Sequence, residues 1–63
     1  MATIVFDYPG LSPSFGSFEF KPSVGDEIAV WHNRSKMRFQ IARLAWEPTS
    51  EGDYTLMVYC DLI

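Results

Sequence analysis

The chain has 63 residues and a formal net charge of −3, with 48% hydrophobic and 16% aromatic residues. This length fits one small domain, residues 1–63, and the apolar content excludes a disordered chain. The negative charge disfavours general binding to nucleic-acid backbones, which depends on Lys and Arg, and the single cysteine excludes a disulfide framework.

The first third of the chain predicts two strands separated by a loop. Residues 3–8 alternate, which is the period of a strand, and Ile4, Phe6 and Tyr8 share one face. Residues 9–17 are rich in Pro, Gly and Ser and predict a loop. Residues 18–21 (FEFK) alternate again and predict a second strand.

The next segment predicts a turn followed by a third strand. Residues 22–26 (PSVGD) combine Pro, Gly and Asp, each of which favours turn geometry. Residues 27–33 (EIAVWHN) then alternate, with Ile28, Val30 and His32 on one face and Trp31 on the other.

Residues 35–47 fit two patterns. In a helix, these residues would form one polar stripe, which consists of Lys36, Gln40, Arg43 and Glu47. Read as a strand, they alternate up to Ile41 and then change phase, which requires a bulge or a sharp bend near Ala42 and Arg43.

The downstream sequence favours the strand. Residues 47–53 have the composition of a hairpin loop, and residues 54–63 are rich in β-branched and aromatic side chains. The fold class predicted is therefore all-β, a small five-stranded, strongly bent antiparallel barrel. The alternative is an α+β fold with a helix at about residues 35–47.

Within residues 21–62, a turn ending in Gly-Asp precedes a strand, a hairpin follows, and a bent strand continues. The residues of this pattern are Val24, Gly25, Asp26, Ile28, Val30, Phe39, Ile41 and Leu44. The pattern of polarity resembles that of SH3-like small β-barrels. The resemblance implies a fold and no particular activity, because small barrels host many functions.

Residues 31–43 hold four of the five basic residues and the only histidine. The favoured interpretation is a solvated hairpin end whose charges protect an exposed edge. A contact with an acidic protein surface comes next. A single-stranded nucleic-acid contact, with rings stacking on bases, is the alternative and is disfavoured by the net charge. Its residues would be Trp31, His32, Arg34, Lys36 and Arg38.

The last strand is apolar on both faces, and one thin barrel covers only one of them. One interpretation is an exposed protein-binding patch that also includes Ile63. Its apolar centre would be Trp31, Met57 and Tyr59, with Arg34, Lys36 and Arg38 as a charged rim. The equally weighted alternative is that the 9–17 loop, carrying Leu11 and Phe15, folds over that face.

No constellation of residues predicts catalysis, a metal site or a cofactor. His32 has no sequence neighbour suited to orient it, Cys60 falls in the inward register of the last strand, and the glycines are scattered singly. We therefore expect a small non-enzymatic protein-binding module that binds a partner or self-associates, such as a phage or mobile-element accessory protein. An oligomeric enzyme with a site between subunits is a third hypothesis.

The expected location is the cytoplasm of the producing or infected cell. The first residues lack the basic start and apolar run of a signal peptide. No apolar run approaches the roughly 18 residues that a membrane span requires, so no membrane partner is expected.

Overall fold

The computed structural model describes residues 2–19 and 21–63. Within these residues the chain forms five strands and no helix, and the sheet curls strongly into a half-barrel. The strands are β1 (Ala2–Asp7), β2 (Ser14–Gly16), β3 (Glu27–His32), β4 (Ser35–Pro48) and β5 (Tyr54–Leu62). The predicted all-β class is confirmed, and residues 35–47 are strand and not helix. The architecture is compatible with a small β-barrel.

The sheet is mixed, so the prediction of a purely antiparallel barrel is wrong. The strand order is β2-β1-β5-β4-β3, and β1 runs parallel to β5, with Thr3 facing Met57 and Phe6 facing Cys60. Parallel neighbours need a long crossover connection. Here β2, β3 and β4 all lie between β1 and β5 along the chain, which supplies that connection.

The second strand lies at Ser14–Gly16, inside the predicted loop and earlier in the chain than predicted. No strand is assigned to Phe18, Glu19 or Lys21, and residue 20 lies outside the described residues. A turn after β1, in which the Tyr8 carbonyl accepts from the Leu11 N–H at 3.3 Å, reverses the chain. Residues 14–16 then pair antiparallel with the start of β1.

β3 and β4 form a hairpin with a two-residue turn. Asn33 and Arg34 both have positive φ, at 50° and 66°, which is the conformation of a type I′ turn. The register places His32 opposite Ser35 and Trp31 opposite Lys36.

β4 contains the predicted bulge. The register against β5 shifts between Ile41 and Arg43, so Ala42 is the extra residue. Phe39 and Ile41 are buried before it, and Leu44 packs against the core after it. The bulge therefore keeps apolar side chains on the inner face while the strand bends.

The predicted turn at residues 22–26 is also confirmed. The Asp26 carboxylate accepts from the Ser23 N–H at 3.0 Å, and the Asp26 N–H donates to the Ser23 carbonyl at 3.1 Å. Gly25 has a φ of 99°, which side-chain-bearing residues rarely adopt. This turn sets the start of β3.

The inner face of the half-barrel forms the core. Phe39 lies at its centre, and its ring packs 4.9 Å from that of Phe6 and 6.4 Å from that of Tyr8, between ring centroids. Leu11, from the loop after β1, packs against this core. The buried hydrophobic residues of the core are Ala2, Phe6, Phe39, Ile41, Leu56, Val58 and Cys60.

Candidate functional site

The tip of the β3–β4 hairpin carries an exposed aromatic ring and two cations. Trp31 is 74% exposed and faces Lys36 across the two strands, while Arg34 occupies the turn. Lys36 and Arg34 are both exposed. We call Trp31, Arg34 and Lys36 the hairpin-tip site.

Arg34 holds a backbone conformation that its residue type disfavours. The left-handed region costs a residue with a side chain about 1–2 kcal/mol, and Gly is the usual residue at the second position of a type I′ turn. Asn33 tolerates this region better, because its short amide bonds locally. An arginine at this position therefore costs stability that a glycine would not.

Arg38 forms an ion pair with Glu27, so it is not an unpaired cation at the rim of the predicted patch. Its Nη2 donates to both carboxylate oxygens of Glu27, at 3.0 Å and 2.8 Å. The hydrogen bond to Glu27 and the charge of that carboxylate raise the pKa of Arg38. Its charge is therefore offset within the molecule.

His32 faces the opposite side of β3 from Trp31, because successive side chains alternate across a strand. Its ring packs edge-on against Tyr8, with 6.0 Å between the centroids, and its Nε2 lies 3.3 Å from Asn33 Nδ2. The half-buried ring thus has a packing role. The predicted nucleic-acid set is divided between two faces of the hairpin.

Met57 and Tyr59 lie half-buried on the outer face of β5. The guanidinium carbon of Arg43 lies 4.1 Å from the centre of the Tyr59 ring. The Tyr59 hydroxyl donates to Glu47 Oε2 at 3.0 Å. Charged side chains of β4 therefore contact the apolar surface that the sequence assigned to a patch.

The predicted apolar centre is not one surface. Trp31 lies opposite Lys36 of β4, and Tyr59 lies opposite Arg43 of the same strand. At about 3.3 Å per residue, the stretch of β4 from Lys36 to Arg43 spans roughly 20 Å. Trp31 thus lies far from Met57 and Tyr59. Of the predicted rim residues, Arg34 and Lys36 lie on the hairpin with Trp31, and they form no ion pair among the described residues.

The loop after β1 does not cover the outer face. Leu11 packs against the core, whereas Phe15 pairs with Thr3 and is 76% exposed. Phe15 and the exposed Tyr54 line a concavity of about 470 Å³ together with Thr3, Thr49, Glu51, Asp53 and Thr55. No sequence pattern predicted this second aromatic surface, because it depends on the unexpected pairing of β2 with β1.

Cys60 is buried in the core, as its register predicts. Burial, and secondarily the charge of Asp61, raise the pKa of its thiol. A buried thiol with a raised pKa is a poor nucleophile. Among residues 2–19 and 21–63, no three His, Cys, Asp or Glu side chains lie close enough together to hold a metal ion.

Comparison of the chain with protein-family models, with curated proteins and with solved structures found no match. In the part of the chain that the structure describes, no helix is long and apolar enough to cross a membrane.

Proposed function

We propose that the protein is a small non-enzymatic protein-binding module whose contact surface is the hairpin-tip site. The observation that carries this proposal is the 74% exposure of Trp31, directly opposite Lys36 and on the same hairpin as the strained Arg34. Strained backbone positions cluster at functional sites, where the surrounding structure holds them.

The composition of the site is that of a binding hot spot. Trp and Arg are enriched among the residues that dominate interface energies, and an indole buries a large area when a partner covers it. The two-residue turn holds the tip in one shape, so little ordering entropy is lost on binding. Arg34 and Lys36 favour an acidic partner surface.

Nucleic acid is the second candidate, and an exposed ring beside cations is the observation that favours it. The charge of the chain argues against nucleic-acid binding. Arg38 is paired with Glu27 and Arg43 lies on Tyr59, so the tip offers Arg34 and Lys36 on a chain of net charge −3. The SH3-like resemblance enters the proposal only as a likeness of architecture.

The test compares matched tryptophan variants. The immobilised protein, with a photo-reactive cross-linker at Ser35, is exposed to a lysate of its source, and captured proteins are identified by mass spectrometry. Trp31→Ala should lose the partner, while Trp46→Ala, which removes a second exposed indole at 62% exposure, should keep it.

Capture of the same proteins by Trp31→Ala and the unaltered chain would contradict the proposal. A parallel titration uses a fluorescent single-stranded oligonucleotide at low salt. Binding that requires Trp31 and weakens steeply with salt would favour nucleic acid instead.

A further inference from the structure

β3 is an edge strand with six residues, and among the described residues it pairs only with β4. Ala29 faces Arg38 across that pair, but the Arg38 carbonyl accepts from the Ile63 N–H at 3.1 Å, on the β5 side. Because antiparallel pairs alternate, Ala29 and Arg38 form a non-hydrogen-bonded pair. The N–H and C=O of Ala29 therefore point to the open edge.

The same alternation turns the backbone groups of Glu27 and Trp31 to the open edge. These three residues also share the exposed outer face, with the burial pattern alternating along β3. The edge thus offers backbone donors and acceptors at every second residue.

The two edges of the sheet differ in how they resist pairing. β2 has only three residues and closely follows Pro13, and short strands and nearby prolines discourage pairing. β3 carries no lysine, proline or bulge, and the charge of Glu27 is already offset by Arg38. β3 therefore lacks the usual protections of an edge.

We propose that β3 pairs antiparallel with β3 of a second copy of this chain, about a two-fold axis through Ala29. This inference rests on the proposed function and identifies the partner as a second copy, because the pairing of the two β3 strands covers Trp31. Ala29 then faces Ala29 of the second copy, and Glu27 faces Trp31 of the second copy. Each facing pair exchanges two backbone hydrogen bonds.

This register is the one that uses the open-edge groups of Glu27, Ala29 and Trp31 together. A register centred on Val30 would place Glu27 opposite Asn33, whose left-handed φ of 50° takes it out of the strand. The register through Ala29 also keeps the outer faces of both sheets on the same side.

No two like charges face each other in this register. The Glu27 carboxylate comes to lie beside the Trp31 indole of the second copy, whose other neighbour is Lys36. At the axis, the small Ala29 side chains leave room for the flanking indole rings. An interface of one short strand from each copy is below the standard size, so the dimer is weak and forms with rising concentration.

The experiment measures the oligomeric state and the edge amides together. Sedimentation velocity over a concentration series follows association, and amide hydrogen exchange by NMR is compared at the lowest and highest concentrations. The Ala29 and Trp31 N–H groups should become protected only at high concentration. The Phe15 N–H, on the other edge strand, should not change.

Matched lysine variants locate the interface. Ala29→Lys places like charges opposite each other across the axis and should weaken dimerisation about fivefold, since facing like charges are unfavourable. Ser14→Lys makes the same change of charge at the exposed edge strand β2 and should leave dimerisation unchanged. Unaltered circular dichroism melting would show that both variants fold.

A monomer at all concentrations, or association without protection of Ala29 and Trp31, would overturn the inference. Its failure is separable from that of the proposed function. The chain could be a monomer whose capture of another protein is still abolished by Trp31→Ala. The proposed function would then stand, and its partner would be that protein and not a second copy.

Discussion

The rings of Phe6 and Phe39 pack with their centroids 4.9 Å apart and their planes tilted by 57°. Phe6 comes from β1 and Phe39 from β4, so this contact joins two strands that are separated in the sheet by β5. It closes the concave side of the curled sheet. The half-barrel therefore depends on a contact across its interior as well as on its backbone ladders.

Substitution of Phe39 should be severely destabilising. Phe39 is fully buried, and truncating a buried phenylalanine to alanine costs about 3–5 kcal/mol. Such a loss approaches the whole stability of a small domain, so Phe39→Leu serves as the milder change. Urea denaturation measures both, against Phe15→Leu.

Phe15 is exposed, and its substitution should change the free energy of unfolding by no more than about 0.5 kcal/mol. Equal effects of Phe39→Leu and Phe15→Leu would mean that Phe39 does not lie at the centre of the core.

The hydroxyl of Tyr59 should contribute modestly to stability. Tyr59→Phe removes the hydrogen bond to Glu47 but keeps the ring beneath Arg43. Because Glu47 is exposed, the expected loss is at most about 1 kcal/mol. Thermal unfolding measures it, with Tyr54→Phe as a control that should have no effect. If Tyr59→Phe lost as much stability as Tyr59→Ala, the hydroxyl would account for the whole contribution of Tyr59. That outcome would contradict a contribution from the contact between the ring and Arg43.

Cys60 should make stability fall at alkaline pH. Burial raises the thiol pKa in the folded chain, so the unfolded chain ionises first as pH rises. The contribution of the neutral thiol is therefore complete below the ordinary thiol pKa of about 8.5 and is lost as pH rises toward the folded value. The free energy of unfolding of wild type should approach that of Cys60→Ala between pH 7 and pH 10.

The same measurement has an internal control, since all other groups titrate alike in the two proteins. A constant difference between wild type and Cys60→Ala over this range would mean that the thiol does not titrate differently on folding. A native thiol that reacts with a disulfide reagent as fast as in the unfolded chain would contradict its burial.

Local patterns predicted the fold where apolar periodicity is strong. The phase change after Ile41 predicted the bulge at Ala42, because the inner face must stay apolar on both sides of it. A strand as short as Ser14–Gly16 has no measurable period, so β2 was missed. The parallel pairing of β1 with β5 depends on contacts distant in sequence and has no local signal.

The candidate site was predicted only in part for a similar reason. Alternation along the third strand placed Trp31 on the outer face, as observed. It could not show that the length of β4 separates Trp31 from Tyr59, since that depends on the register of two ladders. Nor could it show that Arg38 pairs with Glu27, which requires the positions of both side chains.

The turn residue Arg34 should trade stability for binding. Arg34→Gly relieves a left-handed conformation that costs about 1–2 kcal/mol, while the greater freedom of glycine in the unfolded chain offsets roughly half of the gain. The net expectation is an increase of about 0.5–1 kcal/mol in the free energy of unfolding, measured by urea denaturation. The same variant should bind the partner more weakly, because it removes a cation from the hairpin-tip site.

Asn33→Gly is the matched control, since asparagine already tolerates positive φ, and it should change both quantities less. If Arg34→Gly raised stability and left binding intact, the arginine would have no role at the tip, and the backbone strain would lose its value as evidence for a site.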